Sequence, residues 1–368
     1  MSRIKVLHVG IDTSLGGIET YLLKITSHFD FSRYQFDFLS FKGETPCFFD
    51  ELSEIGGRFQ FITSRRANSL KSWKELNALI KKEKYDIIHC HLNSFSYSDA
   101  VYAGLKNGAK VIVHSRNAGS SRQSSSSVLC RINKIFLPYN KLTLLAVSDK
   151  AGEWMFGEKR KFRVINNGID TEKYKFSPDK RHSFRKELGI EEGREVILHV
   201  GAFREQKNHS HLIDIFKEYS LSHPSSILLL VGDGELKDRI KEKVSSLGIR
   251  DRVLFLGQRL DLDYVLSGAD KFLFPSLYEG FPNALLEAEC SGLLCVSSST
   301  ITKEVMFDSC TFISLDKPLS DWVDALSKEK IIDRERYSDV VEEKGYGVKS
   351  EVKRLEEIYL DLSGDSNG

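Results

Sequence analysis

Short apolar runs alternate with amphipathic segments along this chain. "IKVLHVG", "YQFDFLSF", "RFQFI", "YDIIHCH", "AKVIVHS" and "LTLLAVS" read as one series of strands, and "EVILHVG", "SILLLVGDG", "RVLFLG", "KFLFPS" and "LLCVSSS" as a second. Between them, "ETYLLKITSHF" and "SLKSWKELNALIKKEK" repeat their apolar positions at helical spacing. Further helices are expected to begin near Asn208, Glu235 and Pro282. Strands that are apolar without clean alternation are buried on both faces, as in a parallel sheet covered by helices. The pattern therefore predicts an α/β protein made of two doubly wound, Rossmann-like domains. The segment between the series, "NNGIDTEKYKFSPDKRHSFRKELGIEEGRE", is charged and turn-rich and reads as a linker. The expected division is residues 1–182, residues 183–345, and a C-terminal helix with a frayed tail over 346–368. Two such domains facing each other would hold a ligand in the cleft at the carboxyl ends of their strands.

Composition narrows the function classes. The 368 residues are 41% hydrophobic and 29% charged, with Lys+Arg 53 against Asp+Glu 52. A formal charge of +1 supplies no global basic field, so nucleic acid is not an expected partner. The six cysteines (Cys47, Cys90, Cys130, Cys290, Cys295 and Cys310) are scattered without a C-x-x-C and read as buried thiols of a reducing cytoplasm. No apolar run approaches the ~18 residues that a membrane span needs. The protein is expected in the cytoplasm or on the cytoplasmic face of the membrane. A run of serines, Ser124 to Ser127, precedes "VLCRINKIFLPYNKL", which places Arg131, Lys134 and Lys141 among apolar residues. That segment is either a helix with a solvated basic face or a surface helix that docks on anionic lipid.

Candidate chemistry concentrates in "FLFPSLYEGFPNALLEAECSG", Phe272 to Gly292. Glu279 follows a strand, and Glu287 lies eight residues on, inside a helix that Pro282 could open. If both acids were helical, they would stand about 12 Å apart at ~1.5 Å per residue. The two carboxylates of a glycosidase need about 5–5.5 Å or about 6.5–9.5 Å, so these are not a hydrolytic pair. They suit two contacts along one elongated ligand, one acid on sugar hydroxyls and the other on a ribose diol. The helix N-terminus would offer amides to phosphate between them.

The form "EGFPNALLEA", preceded by a strand ending Pro-Ser, resembles the E-x7-E signature of the retaining GT-B glycosyltransferases of group 1 (GT4). "GGIET" at Gly16 to Thr20 resembles that family's glycine loop, and "DIIHCH" its strand-end histidine motif. "AVSDKAGEWMFG" and "VINNGIDTEKY" resemble the segments that lead into the interdomain linker, and "LLLVGDGELKDRIKEKVSSLGIRDRVLFLGQ", with Gly232, the nucleotide-base region. The likeness covers nearly the whole chain and comes closest to enzymes of bacterial exopolysaccharide and capsule assembly.

The resemblance implies roles position by position. Glu279 would contact the donor sugar and Glu287 the ribose, while the backbone of Phe281, Pro282, Asn283, Ala284 and Leu285 would meet pyrophosphate and sugar. Lys207 matches the lysine of the family's phosphate clamp. The arginine position holds Ala202, and the nearest arginine is Arg204, about 7 Å along an extended loop. Such cations would stabilise the charge that develops on a departing nucleoside diphosphate. His114 matches a histidine near the reacting sugar, where it could align the acceptor; the plainer reading is a histidine that ends a strand. Gly16 and Gly17 give backbone freedom near a phosphate or the donor sugar, or form an ordinary turn. His89 and His91 share one face of a strand, but no third and fourth ligands for a metal are apparent. "DLD" at Asp261 to Asp263 reads as acids at a helix start, and "GDGELK" lacks the G-x-G-x-x-G spacing of a dinucleotide site.

Together these readings predict a retaining, metal-independent glycosyltransferase without cofactor; the resemblance alone implies retention. UDP is the first choice of donor nucleotide by the family's habit and GDP the second, with a saccharide or lipid-linked saccharide as acceptor. The first domain would bind the acceptor and the second the donor. A nucleotide-sugar epimerase, a sugar phosphorylase, an NAD-binding dehydrogenase and a non-catalytic nucleotide-sugar-binding protein are the alternatives. Glu279 and Lys207 are expected to be exposed in the cleft, so that alanine at either would cost turnover and leave thermal unfolding nearly unchanged.

Overall fold

Two parallel sheets organise the chain, which divides into a first unit of Met1–Gly168 with Val348–Gly368 and a second of Ile169–Gly347. The structure, a computed structural model, describes residues 3–14, 16–117, 128–301, 307–329 and 332–364. The serine run and the last four residues of the tail lie outside them.

The first unit contains β1 (Ile4–Val9), β2 (Tyr34–Phe41), β3 (Arg58–Ile62), β4 (Ile87–Leu92), β5 (Lys110–Ser115), β6 (Leu142–Ala146) and β7 (Arg163–Val164). They lie in the order β3-β2-β1-β4-β5-β6-β7, all parallel. The direction of winding reverses between β1 and β4, which opens a crevice beyond their carboxyl ends. β4 is buried along its whole length, its two histidines included, as expected of a strand covered on both faces. Leu22, Ile25 and Phe29 cover the sheet from the side of the helix Gly17–Thr26.

The C-terminal helix Val348–Ser363 belongs to this first unit. Val348, Val352, Leu355, Ile358 and Tyr359 recur at helical spacing and join the same core as Phe29 and Tyr34. Burying each such large side chain contributes about 1.5–3 kcal/mol. The segment expected as a separate terminal piece is thus a seam of the first core.

The second unit contains β8 (Val196–Val200), β9 (Ile227–Val231), β10 (Val253–Gly257), β11 (Lys271–Phe274), β12 (Leu294–Ser298) and β13 (Cys310–Ile313), in the order β10-β9-β8-β11-β12-β13. Its reversal falls between β8 and β11. Both series of expected strands form. The pattern missed β7 and β13, edge strands of two and four residues that are too short to show a period.

The contacts draw the boundary at Gly168 rather than at residue 182. Residues expected to link the domains fold onto the second unit as the helices Thr171–Tyr174 and Pro178–Glu187, which bury Tyr174 and Phe184. Arg181 and Arg185 donate to the carbonyls of Ser267, Gly268 and Ala269 at the end of the helix Leu262–Gly268 and pair with Asp270. Cations there satisfy carbonyls that the helix leaves without partners.

Candidate active site

The second unit's crevice is built by the loops that follow β8 and β11. After β8, Gly201 gives room for the stem of Lys207, whose Cδ would stand 3.0 Å from a Cβ at that glycine. A 3-10 turn at Glu205–Lys207 and Asn208 in the left-handed conformation (φ 52) then start the helix His209–Ser222. After β11, the chain passes Pro275 and Ser276 to Glu279. The loops are stitched together: Leu277 N–H donates to Gln206 O at 2.8 Å, Gln206 Nε2 to Tyr278 O at 2.9 Å, and Asn208 Nδ2 to Pro275 O at 3.2 Å.

Across this stitch Lys207 Nζ meets Glu279 Oε1 at 2.7 Å, and Gln206 Nε2 donates to Glu279 Oε2 at 3.0 Å. The Lys207 ammonium also lies 4.8 Å from the centre of the Phe274 ring, a cation–π contact. Glu279 is 6% exposed and Lys207 18%. The expectation of two cleft-exposed side chains is therefore corrected: they form one nearly buried ion pair across the switch point. Arg204 is exposed and makes no side-chain hydrogen bond among the described residues, so the structure does not bring it to the pair.

Glu287 stands in the helix Asn283–Cys290 and takes a hydrogen bond from Tyr174, a residue that the sequence reading did not single out. Burial, and then the Glu287 carboxylate, push the Tyr174 hydroxyl well above its usual range. Pro282 precedes the helix at its cap rather than within the first turn. Phe281, Pro282 and Leu285 are buried, while Asn283 and Ala284 are half-buried. The amides of Asn283 and Leu285 already donate to Phe281 O and Pro282 O at 3.0 Å each, so neither is open to a phosphate in this state. Gly232 has a scaffold reason of its own. At φ +139 its absent Cβ would lie 2.1 Å from Gly201 O, so the loops after β8 and β9 touch backbone to backbone.

In the first unit, Gly16 caps the helix Gly17–Thr26 in extended conformation. The buried Glu19 carboxylate reaches back beside it to accept Asp12 N–H at 2.9 Å. A Cβ at Gly16 would meet Glu19 Oε2 at 2.7 Å, whereas one at Gly17 would meet nothing within 4 Å. A side chain at Gly16 would therefore displace the Glu19 carboxylate, whereas Gly17 borders open space.

His114 is fully buried, and both its ring nitrogens are engaged. Register aligns His8 with His89 and His91 with His114, so four histidines share one face of β1, β4 and β5. His8 Nδ1 and His91 Nε2 share a hydrogen bond of 3.0 Å, and His89 bonds Tyr359 Oη at 2.7 Å and His114 Nδ1 at 3.2 Å. The third candidate ligand missing from the sequence is therefore supplied by β1: nitrogens of His8, His89 and His91 lie within 4.8 Å of one another. The His89 and His91 rings stack with their centroids 4.2 Å apart. Burial lowers all four pKa values, that of His8 to about 3. The rings are neutral at physiological pH. Arg116, just past β5, donates from Nη1 to His114 Nε2 at 3.3 Å.

The remaining motifs take structural partners. Asp261 precedes its helix and pairs with Arg259 at 2.7 Å, and Asp263 pairs with Lys180 at 2.7 Å. All six cysteines are free thiols, but only Cys90, Cys290 and Cys295 are buried as expected; Cys47, Cys130 and Cys310 are half-buried. The helix Val128–Phe136 leaves Ile132, Ile135 and Phe136 exposed beside the exposed Arg131. Lys134 is held by the Trp154 carbonyl at 3.0 Å. No helix among the described residues is long and apolar enough to cross a membrane.

Comparison with known proteins gives a consistent result. The family model "Glycosyl transferases group 1" matches residues 180–306, and "Glycosyltransferase Family 4" matches residues 15–173. The chain is 29% identical over 374 residues to the protein named glycosyltransferase EpsF of Bacillus subtilis, covering 97% of each. It is 28% identical over 387 residues to UDP-Gal:alpha-D-GlcNAc-diphosphoundecaprenol alpha-1,3-galactosyltransferase of Escherichia coli, covering 98% of each. Among solved structures, Anabaena Alr3699/HepE in complex with UDP and glucose superposes with a TM-score of 0.79 at 19% identity, over 97% of this chain and 99% of that one.

Proposed function

The chain belongs to the group 1, family 4 glycosyltransferases, of GT-B fold, and we propose that it moves a sugar from a UDP-sugar to a saccharide or lipid-linked saccharide, with retention, in cell-surface polysaccharide synthesis. The observation that carries this reading is the Lys207–Glu279 ion pair, set where the second unit's sheet reverses. An ammonium held there by a carboxylate is poised to exchange part of that contact for the diphosphate of a donor. Glu279 would turn its freed oxygen to the donor-sugar hydroxyls. Glu287, with Tyr174 against it, would meet the ribose diol.

In the reaction, the bond between the anomeric carbon and the phosphate oxygen breaks, and its electron pair leaves with the nucleoside diphosphate. The acceptor oxygen bonds the same face of that carbon, and its proton passes to the departing phosphate. Charge grows on the leaving oxygens, so Lys207 contributes more in the transition state than in the ground state. The first unit would serve the acceptor. The Escherichia coli relative's name specifies a diphosphoundecaprenol-linked acceptor, which supports the lipid-linked choice. UDP is favoured over GDP because that relative and HepE are both named with uridine nucleotides. A lipid-linked acceptor also gives the exposed Ile132, Ile135 and Phe136 a membrane surface to meet. Cosedimentation with phosphatidylglycerol vesicles tests that contact, and a protein that stays in the supernatant removes it.

Thermal shift with UDP, GDP, ADP and NAD, repeated on Glu287→Ala, tests the donor site. A ligand at 100 times its dissociation constant adds about 2.7 kcal/mol. A shift with UDP that weakens in the variant is expected. A shift with NAD alone, or with none of the four, overturns the reading. Product release without an added acceptor would favour an epimerase, and a need for inorganic phosphate a phosphorylase. NMR of the product's anomeric proton decides retention.

A further inference from the structure

We propose that Arg116 is a binding residue for a phosphate group at the carboxyl end of β5, held in place by a one-way hydrogen-bond chain that runs through His114 and His89 to Tyr359. The proposal rests on the transferase reading, which supplies the phosphate-bearing substrates. Arg116 directly follows β5, one strand beyond the β1/β4 reversal, where an open parallel sheet takes its ligands.

Three observations carry it. First, Arg116 is a half-buried cation with no contact ion pair: among the described residues no carboxylate lies within ion-pair distance, and the buried Glu351 carboxyl feels its charge only from farther off. Its guanidinium stacks on the Tyr21 ring at 3.4 Å, and its one polar partner among the described residues is the His114 imidazole. Second, a guanidinium has five N–H groups and only donates. One is used on His114, and the other four have no acceptor among the described residues. Stacking on one face leaves the in-plane donors, which match two phosphate oxygens at once. Third, the group is aimed. Because Arg116 donates, His114 Nε2 must accept, so the His114 proton sits on Nδ1 and is donated to His89 Nε2 at 3.2 Å. The His89 proton then sits on Nδ1 and is donated to Tyr359 Oη at 2.7 Å. Each imidazole is fixed in one tautomer, and the C-terminal helix anchors the far end.

The phosphate can come from the donor's diphosphate or from a diphosphate-linked acceptor. The test uses the full chain as wild type, Arg116→Gln and Arg116→Lys, with calorimetric titration of UDP, of a short-chain prenyl diphosphate N-acetylglucosamine, and of the phosphate-free octyl glycoside. At least one phosphate-bearing probe should bind tenfold or more weakly to Arg116→Gln and recover in part in Arg116→Lys, with the octyl glycoside unchanged. A loss confined to the prenyl diphosphate assigns the acceptor; a loss confined to UDP assigns the donor. Equal affinities for every probe in wild type and Arg116→Gln, or no binding of either phosphate probe to wild type, overturns the proposal. UDP binding that depends on Glu287 but not on Arg116, without any binding of the prenyl diphosphate, would sink the inference and leave the transferase reading intact. Nitrogen-15 spectra should show His89 and His114 protonated at Nδ1; protonation of His114 at Nε2 would break the chain at its first step. Tyr359→Phe, a positioning variant, should redistribute the His89 tautomers while Arg116 keeps its charge.

Discussion

Lys207→Ala offers the sharpest test of the second unit's site, because there the structure separates a folding cost from a catalytic one. The substitution removes the cation 2.7 Å from Glu279 Oε1 and leaves a carboxylate at 6% exposure with Gln206 as its remaining side-chain donor. Stranding one partner of a buried pair costs about 3–5 kcal/mol, and losing a charged hydrogen bond about 1–3 kcal/mol. With Gln206 retained and Lys207 18% exposed, about 2–3 kcal/mol is expected, which lowers the melting temperature by about 4–12 °C in a unit of this size. Loss of a preorganised contact to the leaving diphosphate should cut turnover about a hundredfold to a thousandfold. The double variant Lys207→Ala with Glu279→Gln removes the stranded charge, so stability should largely return while turnover stays low. Calorimetric melting and a nucleoside diphosphate release assay on the same three proteins read both quantities. A Lys207→Ala protein that melts with wild type and turns over within threefold of it would refute the reasoning for fold and catalysis together.

Gly232→Ala places a methyl 2.1 Å from Gly201 O at φ +139 and should cost about 3 kcal/mol or more in a urea melt, whereas Gly17→Ala, with open space around it, should stay within about 0.5 kcal/mol. Acid should destabilise the protein early. His8 falls from 6.5 to about 3 on folding, and burial also holds His89, His91 and His114 well below the usual histidine range. The unfolded chain therefore takes up protons that the native state refuses, and stability is lost as pH falls from about 6.5 toward about 3. Each such histidine adds up to about 1.4 kcal/mol per pH unit. His8→Gln should flatten the slope by one proton in urea melts at pH 7, 6 and 5, and an unchanged slope would contradict a neutral His8. On the proposed mechanism Lys207 would neutralise the negative charge on the leaving diphosphate, so turnover should survive EDTA; loss that manganese restores would assign that role to a metal.

Much of this architecture was legible from the order of residues. Whether a strand is buried on both faces is written in its own apolar run, and the helix periods stand beside it, so both sheets and nearly all their strands could be read without coordinates. The E-x7-E stretch and the lysine six residues past Gly201 were visible for the same reason: each is a local spacing. The short edge strands Arg163–Val164 and Cys310–Ile313 were not, since so few residues hold no period.

Pairings set by strand order belonged to the tertiary structure. Lys207 and Glu279 are 72 positions apart and meet only because β8 and β11 lie side by side at the reversal of the sheet. That adjacency turned two side chains expected in solvent into a buried pair. His8 joins His89 and His91 because β1 pairs with β4, and Tyr359 reaches His89 across 270 positions because the C-terminal helix returns to the first core. Arg116 showed no signal in the sequence, being one arginine after a strand; its distinction lies in the Tyr21 ring, the neutral imidazole and the absence of a contact ion pair among the described residues. Local sequence sets what each element is, because backbone preference and side-chain period act over a few residues. What a side chain faces depends on which strands lie beside its own, and that is decided only when the sheet is assembled.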